Sequence, residues 1–251
     1  MQASEYLNIY RLEDTHWWYQ GTYALVSSAL KKWLSAVNPK ICDAGCGTGG
    51  LLEYLKNKSF SYLYGFDISP YAWEQLKKRK DINNRVYLGN LEQLAIKDSS
   101  LDAITCIDVL YHCGIRNEGA ALNEFFRVLR PKGVLILQLA AFEFMRGRHD
   151  VIIMTRKRYR VSEVKKYARK AGFKIKLCAY RNSWLFPLLL FWRLLSRINI
   201  KRAVNGDSSD LVRIPGWLNT LLYLLMRLEN KLLNTISFPF GTSVFCIASK
   251  E

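Results

Sequence analysis

Ile41-Cys42-Asp43-Ala44-Gly45-Cys46-Gly47-Thr48-Gly49-Gly50 reads as the end of a strand, a tight turn and the start of a helix. An apolar run from Pro39 to Ala44 ends in an acidic residue, alternating glycines follow, and Leu51, Leu52 and Leu55 continue at helical spacing. Glycines let a backbone turn sharply and bring a ligand against bare N–H groups at a helix N-terminus. The turn alone does not choose its ligand, because Gly45, Gly47 and Gly50 also fit the dinucleotide pattern G-x-G-x-x-G.

Outward from this turn the chain alternates strand and helix. Before it, 5–13 reads as a short helix and Thr22 to Val37 as an amphipathic one, with His16-Trp17-Trp18-Tyr19 between them. After it come a strand ending at Asp67, a helix entered through Ser69-Pro70, a short strand closed by Gly89-Asn90, a strand from Leu101 to Ile107, a helix over 117–129 and a strand from Val134 to Leu139. Such alternation predicts an α/β, doubly wound, mostly parallel sheet. The rhythm then changes: Ala140 to Arg160 reads as a long loop, a helix covers 161–171 and a strand Phe173 to Tyr180. About sixty residues intervene before a last strand, Thr242 to Ser249. We divide the single domain into cap helices (1–38), a ligand-binding core (39–180), a helical insertion (181–240) and the last strand (241–251).

Charge is distributed unevenly. Residues 1–126 hold 13 Lys/Arg against 14 Asp/Glu, residues 127–251 hold 24 against 7, and the net of +16 lies in the second half. A basic half points to a polyanion, an anionic membrane surface, a phosphorylated substrate or a merely solvated face. Cys42, Cys46, Cys106, Cys113, Cys178 and Cys246 show no C-x-x-C pair and no metal-ligand spacing, so no metal is expected. Met1 to Tyr6 lacks the basic start and apolar core of a secretory leader, and no window is long enough to span a bilayer. A reduced, cytoplasmic setting is the expectation.

In open parallel sheets ligands bind beyond the carboxyl ends of the strands. Those ends carry Asp43 and Gly45, Asp67, Asn90, Asp108 to His112, and Ala140 to His149. Asp67 stands where a carboxylate can take both hydroxyls of a ribose. Phe66 and Ile68 flank it as candidates to pack on a base, and Asn90 can accept from an adenine amino group.

Asp43-x-Gly45-x-Gly47-x-Gly49, Asp67, Gly89-Asn90-Leu91-Glu92, Asp102-Ala103-Ile104 and Arg127-Val128-Leu129-Arg130-Pro131-Lys132-Gly133 together resemble the class I S-adenosylmethionine-dependent methyltransferases, type 11 subgroup. The resemblance covers roughly residues 40–140; a dehydrogenase would share only its first two signals. His16-Trp17-Trp18-Tyr19 and the aromatic segment after the fifth strand are similar to a branch met in cell-envelope, polysaccharide and natural-product biosynthesis. The resemblance implies a seven-stranded, Rossmann-like sheet with an antiparallel last strand, and S-adenosyl-L-methionine as cofactor. Asp43, Gly45, Cys46, Gly47 and Gly49 would hold its methionine part, and Asp67 its ribose. Ile68, Asn90 and Leu91 would take the adenine, Ile107 and Asp108 would border the sulfonium, and Trp18 and Tyr19 would close over it. The family usually has Asp where Asn90 stands, and Thr22-Tyr23 occupy the place of its frequent arginines.

Transfer from a sulfonium needs alignment first and a proton acceptor second. His149 beside Asp150 is the first candidate base, because a neighbouring carboxylate can orient the ring; the pair can equally tie down the loop. His112 and Tyr111 complete the catalytic candidates, and His16 either joins them or packs. No Asn/Asp-Pro-Pro-aromatic and no Pro-Cys motif is present, so base methylation of nucleic acid is not favoured. The expected acceptor is a small molecule: a sugar, a lipid-linked intermediate or a natural product. An RNA methyltransferase and a catalytically silent scaffold are the alternatives. Trp184 to Trp192 and Pro215 to Leu233 are read as a lid, a homodimer contact or a peripheral membrane contact through 184–233, with Arg193, Arg197, Lys201 and Arg202 facing headgroups. Pro215 to Leu233, apolar nearly all round, is expected to be buried. Arg156 to Arg160 either grips a phosphate or is a solvated loop.

Overall fold

The computed structural model describes residues 1–82, 85–198, 211–233 and 235–251. Lys201, Arg202 and the polar stretch up to Asp210 lie outside the described residues, as does the side chain of Arg197. Seven strands form one sheet: β1 (Lys40–Ala44), β2 (Tyr62–Asp67), β3 (Val86–Leu88), β4 (Leu101–Ile107), β5 (Leu129–Ala140), β6 (Lys174–Arg181) and β7 (Ser243–Ser249). Their order is β3-β2-β1-β4-β5-β7-β6. β1 to β5 are mutually parallel, and β7 runs antiparallel between β5 and β6. The chain reverses its direction across the sheet between β1 and β4, so the carboxyl ends of β1, β2 and β4 open on one crevice.

The core lies on both faces. One cluster, including Ile104, Leu122, Phe125 and Leu137, packs under α5 (Glu118–Val128) and α7 (Val161–Lys170); the other, including Ile41, Leu52, Leu55 and Phe245, packs under α2 (Trp17–Trp33) and α3 (Gly50–Lys56). α1 (Ala3–Leu12) lies against α4 (Pro70–Leu76), whose cap is the predicted Ser69, with Ala72 N–H donating to its hydroxyl.

Four boundaries differ from expectation. α2 begins at Trp17 instead of Thr22, because His16 Nδ1 accepts from Trp18 N–H and caps the helix. β5 starts at Leu129, paired with Leu101, and Lys132 at φ 65° carries the strand through Arg130 to Gly133. The 140–160 loop contains a 3-10 turn at Glu143–Met145 and a short helix, α6 (Arg148–Ile152). The insertion forms α8 (Phe186–Ile198) and α9 (Gly216–Leu232), and α9 is not buried all round. Its inner edge (Asn219, Met226, Asn230) faces α2, while Trp217, Leu221, Leu224 and Leu228 are exposed.

Candidate active site

A cavity of about 430 Å³ runs along the carboxyl edge of the sheet. Of the sixteen residues predicted to hold the cofactor or act in transfer, fifteen line it: Trp18, Tyr19, Asp43, Gly45, Cys46, Gly47, Asp67, Ile68, Asn90, Leu91, Ile107, Asp108, Tyr111, His112 and His149. Gly49 does not. It sits at φ 85° as the N-cap of α3, where a Cβ would stand 2.8 Å from Ile82, so its role is to turn the chain.

The glycine turn is shaped for a guest. A Cβ at Gly45 (φ 84°) would meet Val109 at 2.4 Å, whereas one at Gly47 (φ 53°) would meet nothing within 4 Å, leaving open space over the turn. Gly47 N–H donates to Asp67 Oδ2 and Ser69 N–H to Oδ1, both at 2.8 Å. The carboxylate is thereby fixed in orientation where it lines the cavity. Asp43 is 3% exposed; burial pushes its pKa up to about 7, against the hydroxyl of Thr105 donating at 2.7 Å. Two carboxylates converging on one apolar-walled cavity suit a ligand with a diol and cationic groups, which S-adenosylmethionine supplies in its ribose, ammonium and sulfonium. Ile68 lies largely exposed beside Asp67 as an apolar platform. Asn90 is less open than expected, since its Oδ1 accepts from Glu92 N–H at 2.9 Å and caps its own turn.

Two buried networks and the strained setting of the expected Asp108 lie beyond the sequence expectations. Glu13, buried at the end of α1, accepts from the hydroxyls of Thr48 and Tyr23 and from Arg79, while Arg79 also holds the Thr48 carbonyl, Asp14 and Glu53. The cap helix is thus bolted to the glycine turn. Asp108, at the end of β4, adopts φ 59°, an uncommon conformation for a residue with a Cβ. It is held by Gln138, whose carbonyl accepts from Asp108 N–H and whose amide donates to Oδ2, and burial lifts its pKa to about 6. Beneath it lies Arg181, fully buried, donating to Gln138, Thr22 and Asn230. Burial depresses its pKa to about 10.

The proton-transfer candidates sort differently from expectation. Asp150 does not orient His149: it takes Arg158 at 2.7 Å, Gly147 N–H at 2.7 Å and Arg193 at 3.4 Å, so it ties down the loop. His149 faces the cavity from α6. His112 Nδ1 accepts from Gly114 N–H at 3.0 Å, and the α-ammonium of Met1 stands 3.4 Å from Nε2. Burial lowers the pKa of the His112 ring, and burial raises that of Tyr111 well above the ordinary phenol value. His16 also lines the cavity but caps α2. The basic run is neither a free phosphate grip nor a solvated loop, because Arg156 pairs with Glu118, Lys157 with Glu163 and Arg158 with Asp150.

Residues 42–137 match the methyltransferase domain model of the type 11 family. A protein of Methanocaldococcus jannaschii is 37% identical over 112 residues, covering 45% of each chain. The malonyl-[acyl-carrier protein] O-methyltransferase of Serratia marcescens is 28% identical over 102 residues, covering 41% of this chain and 38% of its own. The chain therefore spans less than half the length of these curated relatives. The geranyl diphosphate C-methyltransferase of Streptomyces coelicolor, solved with S-adenosyl-L-homocysteine, superposes with a TM-score of 0.56 at 16% identity, over 91% of this chain and 79% of that one. Fold, cavity and motifs define a class I methyltransferase domain. Residues 42–137 are thus similar to the type 11 methyltransferase domain, a similarity that supports S-adenosylmethionine as cofactor.

Proposed function

We propose that this protein is an enzyme that transfers the methyl group of S-adenosylmethionine to an oxygen, nitrogen or carbon of a small-molecule acceptor bearing an acidic group. The observation that carries this reading is the segregation of charge along one cavity. Asp67, Asp43 and Asp108 stand at the ends of β2, β1 and β4; Arg158 and Arg193, both paired with Asp150, stand on the loop after β5 and on α8. The acidic side suits a cationic cofactor, and the arginine-bearing side suits an anionic acceptor.

Bound cofactor supplies a methyl group already activated on sulfur. The chain contributes position: Asp67 fixes the ribose, Asp43 faces the ammonium, and Trp18 and Tyr19 from α2 exclude water. His112 and the Tyr111 hydroxyl flank the acceptor, and His149 takes its proton. The two relatives support an open choice of acceptor atom, since one methylates oxygen and the other carbon by name, and both named substrates are anionic. A lipid-linked phosphate, a sugar phosphate or a carboxylated natural product fits. RNA fits less well, because the Arg156–Arg158 run is paired internally. The free thiols, five of the six buried, support a cytoplasmic setting.

The test is calorimetric titration of wild type and Asp67→Ala with S-adenosylmethionine and S-adenosylhomocysteine, followed by methyl transfer to a panel of phosphorylated and carboxylated acceptors. Micromolar binding that weakens at least about a hundredfold in Asp67→Ala is expected, from two charge-assisted hydrogen bonds of about 1.5–3 kcal/mol each. No binding by wild type would overturn the reading. In the same assay His149→Ala should lower kcat by about 10²–10⁴ with cofactor affinity unchanged.

A further inference from the structure

The insertion is inside out. On α9, Trp217, Leu221, Leu224 and Leu228 recur at steps of four, three and four, which places them on one face of the helix, and they are 47 to 71% exposed. The opposite edge carries the polar contacts: Asn219 accepts from Trp17 N–H at 2.9 Å, and Asn230 donates to the Gly21 carbonyl at 2.9 Å. The same pattern recurs on the other arm of the insertion, where Trp184, Leu188 and Phe191 are 40 to 67% exposed at steps of four and three. The two arms are tied together beneath these stripes. Glu229 accepts from Ser183 N–H at 3.0 Å and Trp184 N–H at 3.4 Å, and Phe186 at the start of α8 stacks on the half-exposed Phe240.

The charges on this surface have one sign. Among the described residues of 182–242 the acid is Glu229, which is buried, whereas Arg213, Arg227 and Lys231 are exposed around the apolar stripe of α9. Large apolar side chains ringed by cations, with tryptophans on both arms, match the interface of an anionic bilayer. A two-fold contact with a second copy would set Arg213, Arg227 and Lys231 near their own counterparts without an acid between them. A polyanion such as RNA would leave the stripes unburied. No described helix is long and apolar enough to cross a membrane, so the fit is to lying on the surface.

We propose that the outer face of α8 and α9 docks this protein on an anionic lipid surface, with the apolar stripes in the acyl–headgroup boundary and Arg213, Arg227 and Lys231 among the phosphates. Leu189 and Arg193, also on α8, line the cavity, so docking sets the mouth of the site beside the bilayer. That last placement rests on the methyl-transfer reading; the docking itself does not.

The experiment is co-sedimentation of the full chain with vesicles of phosphatidylglycerol and phosphatidylcholine at several salt concentrations, alongside light scattering for oligomeric state. Wild type should pellet with phosphatidylglycerol vesicles, less so as salt rises, and at least tenfold less with pure phosphatidylcholine. Trp217→Glu/Leu224→Glu should lose at least tenfold in binding while its melting temperature and S-adenosylhomocysteine affinity stay those of wild type. Arg227→Glu/Lys231→Glu should lose the preference for anionic lipid. Failure of wild type to pellet at low salt would overturn the proposal. So would a dimer that Trp217→Glu/Leu224→Glu dissociates in the absence of vesicle binding. Cofactor affinity, measured on the same samples, separates either failure from failure of the enzyme reading.

Discussion

Asp43→Asn tests whether the floor of the site is built for a cation at the expense of stability. Burial raises the Asp43 carboxyl from its ordinary 3.8 to about 7. Between those values the folded protein holds a proton that the unfolded chain has released, so this group makes stability fall as pH rises through the window and stay flat above about 7. The full shift of about three units corresponds to about 4 kcal/mol, and the part falling between pH 5 and pH 7 to about 2.5 kcal/mol. Asparagine keeps the oxygen that accepts from Thr105 and has no charge to desolvate. The melting temperature of Asp43→Asn relative to wild type should therefore climb between pH 5 and 7 by about 5–10 °C, then level off. Cofactor binding should move the other way. Wild type should bind S-adenosylmethionine about tenfold more tightly at pH 8 than at pH 6, because Asp43 must be ionised to face the ammonium, and Asp43→Asn should bind weakly at both. Scanning calorimetry and titration calorimetry over pH 5 to 8 measure both. Parallel melting curves for the two proteins, or a pH-independent affinity in wild type, would refute the reasoning.

Two glycines should respond oppositely to alanine. Gly45→Ala drives a Cβ into Val109 and should lower the melting temperature by several degrees; Gly47→Ala should fold with a small loss from its φ of 53° yet lose cofactor affinity, because the methyl group occupies the space over the turn. Arg181→Met strips buried partners from Gln138 and Asn230 and should cost about 3 kcal/mol or more by thermal or urea unfolding. It should also raise the Asp108 pKa further, since the guanidinium pulls it down, and so move the acid limb of any activity profile to higher pH.

The sheet and the acidic half of the site were legible because their causes are local. A glycine turn between a strand and a helix, carboxylates one per strand end, and Ser-Pro at a helix start are decided within a few residues. What escaped the sequence is decided across it. Arg79 and Glu13 are 66 positions apart, and Arg181 meets Thr22 across 159, so neither spacing nor periodicity marks them. One signal was available: Gln138 interrupts the apolar run Val134 to Leu139, and a polar residue in a buried strand must have a partner. His16-Trp17-Trp18-Tyr19 read as a connector because aromatics are indifferent helix formers; the cap and the packing against α9 make it helix. α9 was misjudged for a related reason. With leucines on every side, its pattern could not say which face is covered, and asparagines on the covered edge reverse the usual rule.

Among the described residues three buried cations surround the cavity: Arg79 beside the glycine turn and Arg181 under Asp108, both tied to elements distant in sequence, and Arg158, paired with the nearby Asp150 on the acceptor side. Stability alone does not explain them, because a buried ion pair is often no better than apolar residues of the same volume, while breaking one by removing a single partner costs about 3–5 kcal/mol. Position does explain them. Glu13 and Arg79 together fix the hydroxyl and the carbonyl of Thr48, and with them the turn that Asp67 also holds through Gly47. Two variants separate these roles. Glu13→Ala strips the buried acceptor from the hydroxyls of Thr48 and Tyr23, leaves Arg79 the carboxylates of Asp14 and Glu53, and should unfold at lower temperature. Glu13→Leu/Arg79→Met removes both charges and should recover most of that stability, yet bind S-adenosylhomocysteine at least tenfold more weakly, because nothing then holds Thr48. Equal loss of stability in both variants, or wild-type affinity in the double variant, would show that the bolt serves folding and not the site.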